Sequence, residues 1–168
     1  MQTEPRRPDI VVVHTKQLAD ALRAKGGFIV WVRVASAPDG KDMLRPLVDV
    51  PPPWPASRPA DWSEIVLELG VQAQDHVLTK KQWGAFYGTD LDLQLRRRGI
   101  QTLVLTGIAT SSGVESTARS AFEHGYQQVF VEDAMASRSA AEHAHTVQII
   151  FPRLGRVRST EDVLAALA

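Results

Sequence analysis

The sequence predicts an α/β protein, built as an open, doubly wound, mostly parallel sheet with helices on both faces, three layers in all. Three observations lead there. Short apolar runs rich in β-branched residues recur along the chain. Stretches with helical periodicity separate them. The alternation of strand and helix at this spacing requires crossover connections between parallel strands. With 168 residues the chain reads as a single domain, 1–168, able to bury one sizeable core.

The elements follow in order. "RRPDIVVVHTKQLADALRAKGG" carries Val11, Thr15, Leu18 and Leu22 at helical spacing, with Asp9 as a candidate cap. A rival reading makes "IVVVH" a strand on its β-branched residues, and the helix is preferred. "GGFIVWVRVA" (26–35), "HVLTK" (76–80), "TLVLTGI" (102–108) and "QQVFVED" (127–133) are four buried strands. In "TDLDLQLRRRG", Thr89 or Asp90 starts a helix and Gly99 ends it. In "SSGVESTARSAFEHG", Val114, Thr117, Ala118 and Ala121 share one face, while Glu115, Arg119 and Glu123 stand four apart for ion pairing. "SAAEHAHTVQIIF" (139–151) is a further helix and "GRVRS" (155–159) a last short strand. "STEDVLAALA" is a closing helix with a capping box from Ser159 to Asp162. Only 45–62, with six prolines and two tryptophans, fits no regular element. It reads equally as a stiff connection, a lid over the strand ends or a subunit contact.

Composition removes whole classes of function. Nineteen basic and nineteen acidic residues cancel, so bulk charge favours neither nucleic acid nor an anionic membrane. "RRR" (96–98) at a helix end complements the helix dipole and is too small for a nucleic-acid surface. There is no cysteine, which rules out disulfides, thiolate metal sites and a thiol nucleophile in this sequence. The absence of a long apolar run or leader-like start points to a cytoplasmic protein. His143 and His145, two apart on a helix, face different ways and make a poor metal pair, so neither metal nor cofactor is expected.

Ligands of such sheets bind beyond the carboxyl ends of the strands. Two strand ends carry candidates. At "LTKKQWGAFYGTD", Lys80 is expected to face the crevice while Lys81 points elsewhere, with Trp83, Phe86 and Tyr87 as apolar walls. A solvated surface lysine is the bland alternative. At "LTGIATSSGVESTARSAF" a strand turns straight into a helix, where backbone amides of residues 110 to 114 and the hydroxyls of Thr110, Ser111 and Ser112 suit an anion. A serine that merely caps the helix, with Gly113 closing the turn, is the alternative there.

The stretch "KKQWGAFYGTDLDLQLRRRGIQTLVLTGIATSSGVESTARSAFEHGYQQVFVEDAMAS" resembles the core of the isochorismatase-like hydrolase superfamily, most closely its YecD-like branch. The most specific parts are "K…GAF.GTDL" and "TGIAT..GVESTAR", and the likeness covers roughly the last 160 residues. It implies a Rossmann-like fold, a homo-oligomer, and a small, anionic, carboxylated substrate. The family lysine falls on Lys80, while the nucleophilic cysteine of the cysteine hydrolases falls on Gly113. A cis peptide is implied between Ile108 and Ala109, directing the amides of Ala109 and Gly113 at an oxyanion. An acyl-thioester route is thereby closed. The true isochorismatases also carry glycine at this turn and hydrolyse a vinyl ether by carbon protonation and water attack, without a nucleophilic side chain. The chain departs from the family at its start: the apolar first strand ending in an acidic "D-x-Q" is missing, which implies an N-terminally shortened domain. In a sheet of order 3-2-1-4-5-6 that strand is central, and without it two neighbours lose a pairing partner. Two functions are therefore expected to compete: a non-thiol hydrolase with Lys80 as its catalytic group, and an inactive member serving as a metabolite-binding or structural protein.

Overall fold

In the computed structural model, described for residues 2–51 and 59–168, the first element is a helix. Pro8–Ala24 forms α1, and the strand reading of "IVVVH" is thereby corrected. Its period lays Val11, Leu18 and Ala19 in the core. Pro8, without a backbone donor and with φ preset, opens the first turn. Asp9 lies inside that turn and pairs with Arg7 rather than capping the helix, which has no side-chain cap. The part of 45–62 that falls on 52–58 lies outside the described residues.

The strands are β1 (Val30–Val34), β2 (His76–Lys80), β3 (Thr102–Ile108), β4 (Gln127–Ala136) and β5 (Arg156–Arg158). All their pairings are parallel, as the crossover spacing requires. They form two sheets rather than one, β1-β2 and β3-β4-β5. No strand among the described residues joins them, so β1 and β3 each keep one unpaired edge. The residues of β3 from Leu103 to Gly107 are accordingly half-buried, where a parallel strand covered on both sides is normally buried.

The helices are α2 (Leu91–Arg97), α3 (Glu115–Glu123), α4 (Ala140–His145) and α5 (Thr160–Leu167). Val114, Thr117, Ala118 and Ala121 are buried, as their shared face predicts. Arg119 pairs with Glu115 at 3.0 Å. The Leu91 amide donates to Thr89 Oγ1 at 3.3 Å, and α5 has its capping box from Ser159 to Asp162. The predicted helix 139–151 is α-helical only to His145 and then loosens into a π turn and a 3-10 turn ending at Arg153.

Three apolar clusters make the core. Leu78, Phe86, Leu91, Leu95 and Tyr126 fill the side near β2. Phe130 and Phe151 stack with centroids 3.9 Å apart beneath α3. Leu18, Val131 and Val163 close the face covered by α1 and α5. A polar clamp ties α1 to the smaller sheet: Asp75, 1% exposed at its side chain, accepts hydrogen bonds from Arg23 and Trp31 Nε1, both at 2.8 Å. Burial pushes the Asp75 carboxyl up, yet Arg23, the Gln72 amide and Trp31 outweigh that and hold it below its ordinary value.

Candidate active site

Lys80 is the last residue of β2, where the pleat turns it into the protein while Lys81 turns out to pair with Asp42 at 2.7 Å. The residue is 9% exposed. The ammonium donates to the backbone carbonyl of Trp83 and has no ion-pair partner among the described residues. Burial alone pushes its pKa down to about 8. Desolvation disfavours the charged form, and no carboxylate opposes it.

The second half of the site follows β3. The β3–β4 ladder slips between Leu105 and Gly107, and Gly107 takes φ 121°, a conformation that glycine adopts without a Cβ clash. The Ile108–Ala109 peptide is cis, as the resemblance implied. A π turn, Thr110–Val114, then leads into α3. Gly113 has no positive φ, so backbone conformation does not demand glycine there. Space is tight instead: a Cβ at 113 would lie 3.2 Å from Lys80 Nζ, which would have to give by a few tenths of an ångström, and 3.5 Å from the Trp83 carbonyl oxygen, an ordinary contact. Lys80 and Gly113 thus meet, although one closes β2 and the other opens the turn after β3.

Thr117 fastens the two halves together. Its hydroxyl donates to the Gly113 carbonyl at 2.7 Å and accepts from the Ala85 amide at 3.1 Å. Gly84 packs within 3.6 Å of the Ser116 carbonyl, a close approach a side chain would disturb. This contact explains the fate of the three aromatics. The turn folds inward at Ala85 and Phe86, so Phe86 enters the core against Tyr126 and His124. Trp83 and Tyr87 flank it and point out, 64% and 82% exposed. The expected aromatic wall around Lys80 is therefore corrected: Trp83 contributes its carbonyl, and the rings of Phe86 and Tyr87 lie elsewhere.

The amides of the turn are likewise fewer than expected. Ser111 N–H donates to Ser137 Oγ at 3.1 Å, while Ser112 and Val114 N–H both donate to the Ala109 carbonyl at 3.2 Å. The Ala109 amide meets no acceptor among the described residues. Serine capping is also corrected, since no side chain caps this turn or α3. Ser111 Oγ instead joins Ser137 Oγ at 2.8 Å and Glu142 Oε2 at 3.1 Å. Ser112 stands half-buried beside Gly113.

Thr110 does not offer its hydroxyl to the crevice. It is fully buried and shares a hydrogen bond of 2.9 Å with Nδ1 of the buried His143. Burial lowers the His143 pKa, and the charge of Arg6 lowers it further. Sequence reasoning named His143 only as a poor metal ligand and Thr117 only as a buried helix position, and it missed the Ser137–Glu142 pair. Thr117 stands one helical turn after Gly113, a spacing that signals contact along α3, whereas His143 and Ser137 reach the turn only through tertiary folding.

The Isochorismatase domain family model matches residues 3–162. The uncharacterised isochorismatase family protein YwoC of Bacillus subtilis is 56% identical over 155 residues, 92% of this chain and 82% of that protein. The uncharacterised isochorismatase family protein YecD of Escherichia coli O157:H7 is 47% identical over 163 residues, 97% of this chain and 86% of that protein. The solved structure of an isochorismatase family protein from Burkholderia thailandensis is similar with a TM-score of 0.95 and 47% identity, covering 99% of this chain and 87% of that one. A likeness that spans nearly the whole sequence and extends to the course of the backbone goes beyond a shared motif, and the chain belongs to the isochorismatase family.

Proposed function

We propose that this family hydrolase cleaves a small carboxylated substrate without a covalent thioester, using Lys80 as its cationic catalytic group and the amides of Ala109 and Gly113 as an oxyanion site. One observation carries the reading: the ammonium of Lys80 is buried against Gly113, the position on which the resemblance places the nucleophilic cysteine of the cysteine hydrolases. A buried cation without a carboxylate partner favours an anionic ligand, whose charge would replace the lost hydration. With a pKa of about 8, Lys80 is also a stronger acid than an ordinary lysine and remains mostly protonated at neutral pH. That combination suits protonation of a vinyl ether carbon followed by water attack on the oxocarbenium ion. The exposed rings of Trp83 and Tyr87, flanking the turn, offer apolar surface for a second copy of the chain.

A non-catalytic, metabolite-binding role is the second reading, and one observation favours it. No carboxylate contributes to the Lys80 environment among the described residues, so a dedicated acid or base beside it is lacking. Turnover of carboxylated vinyl ethers and of amides by the wild type and Lys80→Ala separates the two. The hydrolase reading expects vinyl ether turnover to fall by about 100-fold or more in the variant. Equal, near-zero turnover by both would overturn it in favour of binding.

A further inference from the structure

We propose that residues 44–50 form an arm for a second copy of this chain, in which two such segments pair antiparallel across a two-fold axis through Leu47. The pairing needs neither Lys80 nor the hydrolase reading.

The segment reads "LRPLVDV". It belongs to no helix or strand, and every one of its residues is exposed. Leu44, Leu47, Val48 and Val50 all meet water, Leu47 completely and Val50 to 84%. So much apolar surface on one short segment marks a place of contact. Its backbone is equally idle: no amide or carbonyl from Leu44 to Val50 has a hydrogen-bond partner among the described residues. Arg45 and Asp49 likewise have no ion-pair partner among the described residues. The ion pair of Asp42 with Lys81 fixes the base of the arm beside the turn that bears Trp83 and Tyr87, so the arm continues that exposed aromatic surface.

The arm is complementary to itself. In an antiparallel register centred on Leu47, Arg45 of each copy faces Asp49 of the other, Leu44 faces Val50, and Leu47 faces its own equivalent. A parallel pairing in register would instead set Arg45 beside Arg45 and Asp49 beside Asp49. The pleat places Leu44, Pro46, Val48 and Val50 on one apolar face, with Arg45, Leu47 and Asp49 on the other. Pro46 suits this register. When Leu47 sits in a hydrogen-bonded pair, the nitrogen of Pro46 points away from the partner, where no donor is needed. The same proline interrupts the outer edge, so the pairing closes at two strands. It also bars the arm from the free edges of β1 and β3, because a strand inserted between them needs donors on both sides.

Sedimentation of the full chain over a concentration series tests the pairing. The wild type is expected to dimerise, more weakly as salt is raised. Arg45→Glu and Asp49→Arg should each weaken the dimer at least about tenfold, since each turns two attractive pairs into two repulsive ones. An equimolar mixture of the two variants should recover it, because every cross pair again has opposite signs. The double variant should recover it for the same reason. The chain has no cysteine, so Leu47→Cys under mild oxidation reports on the axis itself. A hydrogen-bonded antiparallel pair sets its Cα atoms about 5.5 Å apart, within disulfide reach. Leu47→Cys should cross-link at least about tenfold faster than Leu67→Cys, a position 93% exposed outside the arm. A monomer at every concentration, association indifferent to both charge changes, or equal cross-linking at 47 and 67 would overturn the proposal. The readouts are mass and cross-linking, so a failure of vinyl ether turnover would remove the hydrolase reading and leave the pairing untouched.

Discussion

Replacing Lys80 with methionine is expected to make the protein more stable at neutral pH while removing its chemistry. The buried ammonium titrates near 8 instead of 10.5, and the difference corresponds to about 3 kcal/mol, at about 1.4 kcal/mol per pH unit, by which folding disfavours the charge. Methionine matches the length of the stem and carries no charge. It leaves the Trp83 carbonyl without its donor, a loss of about 1–2 kcal/mol. The variant should therefore gain a net ~1–2 kcal/mol at pH 7. The sign of the pH dependence is fixed by linkage. Between pH 8 and 10.5 the unfolded chain holds a proton on Lys80 that the folded chain has released, so wild-type stability rises with pH across that window and is flat below it. Tyr126, pushed to about 12 by burial and then by Asp92, acts oppositely above its ordinary 10, but equally in both proteins. The difference between the two stability curves isolates residue 80, and it should change sign inside the window. Urea denaturation from pH 7 to 10.5 measures it. A difference that stays constant, or a variant less stable than the wild type by more than about 1 kcal/mol at pH 7, would refute the assignment of a desolvated, unpartnered ammonium.

Gly113→Ala should change stability by less than about 1 kcal/mol, because backbone propensity favours alanine while its methyl group crowds Lys80 Nζ at 3.2 Å. The same methyl group should lower the Lys80 pKa further and cut turnover at least tenfold; NMR titration of the Nζ resonance reads the first, and an unchanged titration would contradict the contact. Asp75→Ala should destabilise by about 2–4 kcal/mol, since it leaves Trp31 Nε1 without its acceptor and Arg23 paired only with Asp20 on its own helix. Thermal unfolding followed by tryptophan fluorescence measures it, and a loss below about 0.5 kcal/mol would show the clamp to be dispensable.

The sequence by itself determined what depends on nearby residues. β2 and β3 fall on 76–80 and 102–108 as their apolar runs predict, α1 follows its helical period, and Ser159 and Asp162 close their box, because period and capping act over one or two turns. The meeting of Lys80 with Gly113 was also legible, through strand ends and the family motif rather than through local pattern. Only the tertiary structure decided the rest. Which of Trp83, Phe86 and Tyr87 turns inward depends on Thr117 and Ser116, some thirty residues away, anchoring the turn. Thr110 turned from the crevice because His143 offers a buried partner, and a buried hydroxyl is held by whichever partner the fold supplies. The division of the strands into two sheets belongs to the same class: strand pairing joins residues far apart in sequence, and the edges of β1 and β3 stay open where no described strand lies between them.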